Sequence, residues 1–184
     1  SPAYLTKFNG FVGLPVPSTE ISIRDDEGKQ VRRGEPGEIC VKGPQVMQGY
    51  WGNEEATKEA IDEDGFFKTG DIGTLNSDGF IKIVDRKKDM ILVSGFNVYP
   101  NEIEDVVSLH PDIIEAACIG VDDEKTTEAV KLFVVKSNPN LSIDEVLDYC
   151  RDNFTGYKVP KHIEFIDELP KSNVGKVLRR SLRD

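Results

Sequence analysis

A run of five charged residues, Asp85 to Asp89, interrupts an apolar stretch and brings a guanidinium close to carboxylates. Arg86 carries a rigid fork of hydrogen-bond donors, which can bind a polyol or a phosphate. A carboxylate, Asp71, lies shortly before the run in a Thr-Gly-Asp sequence, and Ser94-Gly95 follows it. These residue types indicate a polar binding site, although a Gly-Asp pair taken alone usually marks only a turn.

The charged run separates two strand-like segments, Phe80 to Val84 and Met90 to Val93. One interpretation is a solvated hairpin turn, but the run contains no Gly, Pro or Asn, which tight turns favour. A short linker between two domains fits better, because such a linker stays solvated and can absorb a change in backbone angles. We therefore expect Asp85 to Asp89 to be an exposed connection between domains.

The sequence before this linker predicts a β-rich region with short strands and many turns. Alternating apolar residues predict a strand at Glu20 to Arg24, and a second strand is predicted at Glu38 to Lys42. Asn53 can cap a short helix from Glu54 to Ile61, with acidic residues in its first turn. Lys68 to Asp71 reads as a turn. The pattern indicates a small sheet or a barrel-like subdomain.

The sequence after the linker predicts a compact mixture of helices and strands. Ser142 and Glu145 form a capping box that opens a helix reaching about Asn153. The other predicted elements are a helix at Asn101 to His110, buried strands at Glu115 to Val121 and Ala129 to Val135, a strand at His162 to Ile166, and a short basic helix at Leu178 to Arg183. We predict an α+β fold overall, with residues 1–87 and 88–184 as its two domains.

Composition limits which partners and which cellular compartment fit this protein. The chain of 184 residues has a net charge of −10, which argues against nucleic acid as a partner. Residues 157–184 carry 7 basic and 4 acidic residues, net +3, and this tail could meet phosphates or simply be a solvated helix face. Three widely spaced cysteines, Cys40, Cys118 and Cys150, are expected to be free thiols of a reducing compartment.

The ordered sequence from Asp64 to Glu104 carries a strong family resemblance. Asp64 to Lys88 (DGFFKTGDIGTLNSDGFIKIVDRKK) resembles the fatty acyl-CoA synthetase motif of the adenylate-forming superfamily, which also contains luciferases and peptide-synthetase adenylation domains. The following residues, DMILVSGFNVYPNEIE, are similar almost throughout to bacterial long-chain fatty acid–CoA ligases. The resemblance extends from about Gly13 to the end of the chain and is more specific for the superfamily than for acyl-chain length.

The resemblance implies roles for residues in four places. Asp71 and Arg86 match the residues that contact the ribose of ATP or AMP, and Lys88 falls at the hinge position of the family. Ser94, Gly95 and Phe96 match the segment along which the pantetheine of coenzyme A approaches. Lys176 matches the catalytic lysine that reaches into the active site during adenylation, where its ammonium can stabilise negative charge.

The implied reaction has two steps. ATP and a fatty acid give acyl-adenylate and pyrophosphate, and coenzyme A then displaces AMP to give acyl-CoA. Family members hold the ATP phosphates, the Mg²⁺ ligand and the acyl tunnel on a large N-terminal region, and no phosphate loop or metal site is predicted in this chain. We therefore expect a C-terminal fragment that is inactive alone. We expect its parent enzyme to be cytoplasmic, with peripheral association at the inner face of the membrane as an open alternative. The alternatives are a ligase for another acid or a carrier-protein acceptor, and a non-catalytic module that binds a nucleotide or a partner.

Overall fold

The computed structural model describes residues 10–183 and divides them into two compact units, with the division between Lys88 and Asp89. This division lies one residue after the domain boundary that the sequence analysis places before Lys88. No helix within residues 10–183 is both long and apolar enough to span a membrane.

The first unit is built on an antiparallel sheet of four strands that lie in chain order. The strands are β1 (Glu20–Arg24), β2 (Gly37–Lys42), β3 (Phe67–Leu75) and β4 (Ile81–Arg86), and helix α1 (Glu54–Ala60) lies between β2 and β3 in the sequence. Ile23, Ile39 and Ile81 form its buried core. Asn53 caps α1 as expected, since its side chain accepts a hydrogen bond from the Ala56 amide at 3.0 Å.

The expected barrel-like form is absent from the described residues, because the sheet is open. Four strands are too few to enclose a core, since about eight are needed for an interior that side chains can fill. Short pieces of chain cover the two edges instead. The Val12 amide donates to the Ile81 carbonyl at 2.8 Å beside β4, and the Val31 amide donates to the Ile23 carbonyl at 2.9 Å beside β1.

The second unit combines one sheet with two α-helices. Its elements are β5 (Ile91–Val93), β6 (Phe96–Val98), α2 (Pro100–Val107), β7 (Ile113–Asp123), β8 (Thr127–Lys136), α3 (Ile143–Asn153) and β9 (His162–Phe165). The sheet order is β6-β5-β8-β7, and β9 adds to β8 in the parallel direction. Both α and β elements are therefore present, as the sequence predicts, and the predicted capping box at Ser142 and Glu145 is formed.

Apolar side chains cover both faces of this sheet. On one face the helices α2 and α3 bury Ile103, Val107, Val146 and Cys150 against the strands. On the other face a smaller cluster contains Ile119, Phe133 and Leu169, and the C-terminal tail packs Val177 and Leu182 against it. The tail is therefore attached to the sheet and is not a free extension.

The charged run Asp85 to Asp89 differs from the exposed linker that the sequence predicts. Strand β4 continues through Asp85 and Arg86, and Lys87–Asp89 forms one 3₁₀ turn. Asp85 and Asp89 are buried, while Arg86 and Lys88 are exposed. The prediction failed because strand pairing covers Asp85, and because two arginines distant in the sequence neutralise Asp89.

Candidate active site

Asp71 and Arg86 lie opposite each other on the paired strands β3 and β4. The Arg86 Nε donates to the Asp71 Oδ1 at 2.8 Å, with 60% of the arginine side chain and 26% of the aspartate side chain exposed. The two side chains are therefore paired directly, and one side of the pair faces solvent. Its open face can offer carboxylate acceptors and the remaining guanidinium donors to a molecule that carries hydroxyl groups.

A bulge in β3 sets the position of Asp71, in a place where the sequence predicts a turn. The residues Lys68 to Asp71 lie inside the strand, and Gly70 has a φ of +72° that other residues rarely adopt. The Thr69 hydroxyl donates to the Ile39 carbonyl at 2.8 Å and accepts from the Asp71 amide at 3.1 Å. These bonds hold the bulge, and bulges often redirect side chains beside active sites.

A second bulge, at Val84 in β4, selects the partner of Asp71. Gly73 pairs with Ile83, but the next residue, Ile72, pairs with Asp85, so Val84 is passed over. If the regular register continued through Val84, that residue would pair with Ile72 and Asp85 would lie opposite Asp71, so two carboxylates would face each other. The bulge puts Arg86 there instead.

Lys87 and Glu38 support this end of the sheet. The Lys87 ammonium contacts Asp26 at 2.9 Å and Glu38 at 3.0 Å, and Glu38 also accepts a hydrogen bond from the Gly70 amide at 3.2 Å. Burial disfavours the charged lysine, but the hydrogen bonds to Asp26 and Glu38 outweigh it and raise the Lys87 pKa. Lys87 is thus fixed to the first unit and ties the β3 bulge to the end of β4.

Ser94, Gly95 and Phe96 form one exposed hairpin tip in the second unit. Ser94 and Gly95 have φ values of 51° and 84°, as in a two-residue turn with both central residues left-handed. A Cβ on Gly95 would meet no atom of the described chain within 4 Å, so backbone conformation, not crowding, requires glycine in this chain. The Phe96 ring stacks on Tyr157 with centroids 4.7 Å apart.

Lys176 lies on an exposed loop that closes on itself. Lys171 and Val177 form a β-bridge, and the Ser172 amide donates to the Lys176 carbonyl at 2.8 Å. Gly175 supplies the turn with a φ of 78°. Within residues 10–183, no carboxylate forms an ion pair with the Lys176 ammonium, whereas Lys171 at the base of the loop pairs with Glu115. The Lys176 charge therefore projects from an ordered base.

The cysteines take no part in these sites. Cys40, Cys118 and Cys150 are buried and form no disulfide, as the sequence predicts. Burial raises the pKa of Cys150 to about 11, and burial also raises that of Cys40. The thiols of Cys40 and Cys150 are accordingly protonated and unreactive at neutral pH. The described residues contain no group of three or more histidines, cysteines or carboxylates that could hold a metal ion.

Two family profiles match the chain. Residues 2–51 match the profile of the AMP-binding enzymes, and residues 102–176 match that of the AMP-binding enzyme C-terminal domain. A long-chain-fatty-acid–CoA ligase from Yersinia pestis is 60% identical over all 184 residues. The chain belongs to the AMP-binding enzymes. It spans 33% of the length of that relative.

A second relative and a solved structure are also similar to nearly the whole chain. A feruloyl-CoA synthase from an Amycolatopsis species is 41% identical over 182 residues, which are 98% of this chain and 37% of that protein. The crystal structure of ATP-bound MatB from Rhodopseudomonas palustris superposes with a TM-score of 0.88 and 38% identity, covering 95% of this chain and 35% of MatB. The fold is therefore that of the C-terminal part of an AMP-binding enzyme.

The structure leaves the predicted site residues in two groups. Asp71 and Arg86 are paired in the first unit, while the hairpin Ser94–Phe96 and the Lys176 loop belong to the second. Sequence reasoning missed an ion-pair cluster around Arg179, which connects Asp89 with Glu104. The basic tail was a visible signal, but its acidic partners lie far away in the sequence.

Proposed function

We propose that this chain forms the C-terminal third of a long-chain fatty acid–CoA ligase, which converts ATP, a fatty acid and coenzyme A to acyl-CoA, AMP and pyrophosphate. The support is the 60% identity to the Yersinia pestis ligase along the whole chain. The proposal assigns the ATP phosphates, Mg²⁺ and the acyl tunnel to the part of the enzyme that precedes this chain. It also assigns the enzyme to the cytoplasm, where substrate acids partition between water and the membrane surface.

The ion pair of Asp71 and Arg86 is the structural observation that supports nucleotide binding in this proposal. Two ribose hydroxyls present adjacent donors, which suit a carboxylate with free acceptor positions. Arg86 already holds Asp71 in place, so little side-chain entropy remains to be lost when a nucleotide binds. Two β-bulges are needed to make this pairing, and such irregularities are typical of binding sites.

The remaining candidate residues are assigned roles in the order of the two reaction steps. Lys176 stabilises the charge that develops as the carboxylate joins the α-phosphate of ATP. Rotation at Lys88 then replaces the Lys176 loop with the hairpin Ser94–Phe96, beside which the pantetheine thiol attacks the acyl-adenylate. The exposed position of all these residues allows contact with the preceding part of the enzyme and with both substrates.

A ligase for an aromatic acid is the second candidate, and the 41% identity to feruloyl-CoA synthase favours it among other acids. The deciding experiment expresses the protein from its natural reading frame and compares acyl-CoA formation from a long-chain fatty acid and from ferulate. A fatty-acid preference supports the proposal, and a ferulate preference replaces it with the second candidate. A frame that encodes these 184 residues alone would instead favour a binding module.

A chimera tests the role of this chain separately from the choice of acid. The chain replaces the matching C-terminal third of the Yersinia pestis ligase, whose preceding part is retained. We expect acyl-CoA formation by the chimera, and no fatty-acid-dependent pyrophosphate exchange by the 184-residue chain alone. Asp71→Asn in the chimera should raise the KM for ATP about tenfold or more, the loss of one charge-assisted hydrogen bond. Unchanged ATP kinetics in this variant would refute the ribose assignment.

A further inference from the structure

The Arg179 side chain is largely enclosed, with 14% exposed, at the junction of three parts of the second unit. Its Nη2 lies 2.7 Å from Glu104 Oε2 and its Nε lies 3.1 Å from Glu104 Oε1, so the pair is bidentate. The Asn101 side chain accepts from Nη2 at 2.6 Å, and Nη1 lies 3.7 Å from Asp89 Oδ2. One guanidinium therefore contacts α2 twice and the first residue of the unit once.

The partners of Arg179 are fixed by other bonds. Glu104 Oε1 also accepts the Cys118 amide of β7 at 2.8 Å, which ties the cluster to the central sheet. The tail forms one 3₁₀ turn, Arg179–Leu182, and Arg183 follows it. Asp89 Oδ1 lies 3.3 Å from Arg183 Nη2, so Arg179 and Arg183 face the same carboxylate. The cluster thus connects a strand, a helix, the start of the unit and its C-terminal tail.

The base of the Lys176 loop also packs Val177 against the apolar cluster of Ile119, Phe133 and Leu169, and it has a few polar contacts. The Leu178 amide donates to the Pro170 carbonyl at 2.8 Å, and Lys171 pairs with Glu115 on β7. The remaining hydrogen bonds of the loop, such as that from the Lys176 amide to Ser172 Oγ at 3.2 Å, are internal to it. Internal bonds give the loop its shape but do not orient it, so its direction depends on the anchored residues on either side.

We propose that Arg179 is a positioning residue for Lys176. It anchors the tail three residues beyond the lysine and binds that tail to Asp89, the residue that follows the proposed hinge. A rotation at Lys88 is then passed directly to the Lys176 loop through Asp89 and Arg179. This inference rests on the proposed function, because it concerns how the adenylating lysine is held.

The adjacent Arg180 provides a matched control. It has the same charge and lies in the same 3₁₀ turn, but its side chain is exposed and no ion pair to it is formed within residues 10–183. Arg179→Lys keeps the positive charge and loses the fork geometry that matches Glu104. Asn101→Ala removes one contact of the guanidinium and leaves both ion pairs. Arg180→Gln tests the loss of one positive charge in this turn, and Arg179→Lys tests the loss of the fork geometry. Asn101→Ala tests a weaker anchor that keeps both ion pairs.

The first measurement is amide hydrogen exchange on the 184-residue chain, which needs no activity. We expect Arg179→Gln to raise exchange in residues 171–178 by about tenfold or more, with β8 unchanged, because a local opening is made easier. Arg180→Gln should leave both regions unchanged. If Arg179→Gln does not fold, Asn101→Ala and Arg179→Lys should show the same regional effect at smaller size. Equal exchange in the loop for all folded variants would overturn the proposal.

The second measurement separates the half-reactions in the chimera described above. Arg179→Gln should lower kcat for adenylation about 10- to 100-fold, since a displacement of about 1 Å can cost that much. The KM for ATP and thioester formation from supplied acyl-adenylate should change little, and Arg179→Lys should recover part of the rate. Equal losses in both half-reactions would make Arg179 merely structural. A harmless Lys176→Ala would instead refute the proposed function, while the exchange result would still test the anchor.

Discussion

At the scale of single residues, the Asp71–Arg86 pair is poorly explained by stability. Ion pairs at the protein surface contribute roughly 0–1 kcal/mol, and in this pair Arg86 is exposed and Asp71 is partly exposed. The chain nevertheless interrupts two strands to form it, and each bulge gives up regular ladder hydrogen bonds. Such a cost without a matching gain in stability is the expected sign of a residue pair held for binding.

Lys176 gives the sharpest prediction at this scale. In the full enzyme, Lys176→Ala should slow adenylation by ~10²–10³, about 2.7–4 kcal/mol of barrier, because one donor to a developing charge is lost. Thioester formation from supplied acyl-adenylate should largely survive. Single-turnover assays of each half-reaction measure the two rates, and Arg180→Ala, which removes an exposed positive charge nearby, serves as the charge-matched control. Equal losses in both steps would show that Lys176 is shared or structural.

At the scale of the elements, the sequence correctly predicted the features that depend on residues close together in the chain. Strand β1 has the predicted bounds, and the capping box at Ser142 opens α3 because all its hydrogen bonds lie within four residues. The predicted turn at Lys68–Asp71 was wrong. Gly70 and Asp71 are typical turn residues, but the Thr69 hydroxyl donates a hydrogen bond to the carbonyl of Ile39, thirty residues earlier in the chain. The pairing partner, which the pattern does not contain, converts the turn into a bulge.

The candidate site was predictable only in part, for the same reason. The roles of Asp71, Arg86 and Lys176 came from the family resemblance and stay predictions, while the structure adds that Asp71 and Arg86 are paired. Arg179 and Glu104 are 75 residues apart, and nothing in either local sequence marks them as partners. Contacts of this kind depend on how β7, α2 and the tail pack together.

The burial of Cys150 in helix α3 can be tested by measuring the stability of the protein as a function of pH. The Cys150 thiol lies in the core and its pKa is raised to about 11, from 9.0 in water. Between these values the unfolded state loses its proton first, so the free energy of unfolding should fall as pH rises through this window. The full effect is roughly 2–3 kcal/mol for a shift of about two pH units.

Cys150→Ala isolates this effect from the lysines and tyrosines that titrate in the same range. Urea unfolding of both proteins at several pH values gives the difference in stability directly. Below pH 9 the wild type should be the more stable, because the variant leaves a small cavity. Its advantage should shrink or reverse by about pH 11. A difference that does not vary with pH would show that Cys150 ionises as freely in the folded chain as in the unfolded one.

At the scale of the whole molecule, anchors on both sides of Lys88 support the hinge proposal. On the first unit Lys87 is held by Asp26 and Glu38, and on the second unit Asp89 is held by Arg179 and Arg183. Between them Lys88 is exposed. A rotation of one unit against the other concentrates its change in backbone angles where the chain is least restrained. The charged run thus has an anchored residue on each side of the exposed Lys88, in place of the solvated linker that the sequence suggested.

Lys88→Pro should therefore trap one domain arrangement, whereas Lys88→Ala should be mild. Proline fixes φ near −65° and disfavours the helical conformation that Lys87 has in its 3₁₀ turn. We expect acyl-adenylate to form and acyl-CoA production to collapse, because the second step requires the rotation. Single-turnover measurements of each half-reaction in the full enzyme test this. Near-normal acyl-CoA formation by a folded Lys88→Pro enzyme would exclude Lys88 as the hinge. An equal loss in Lys88→Ala would assign the effect to the side chain, since alanine leaves the backbone free.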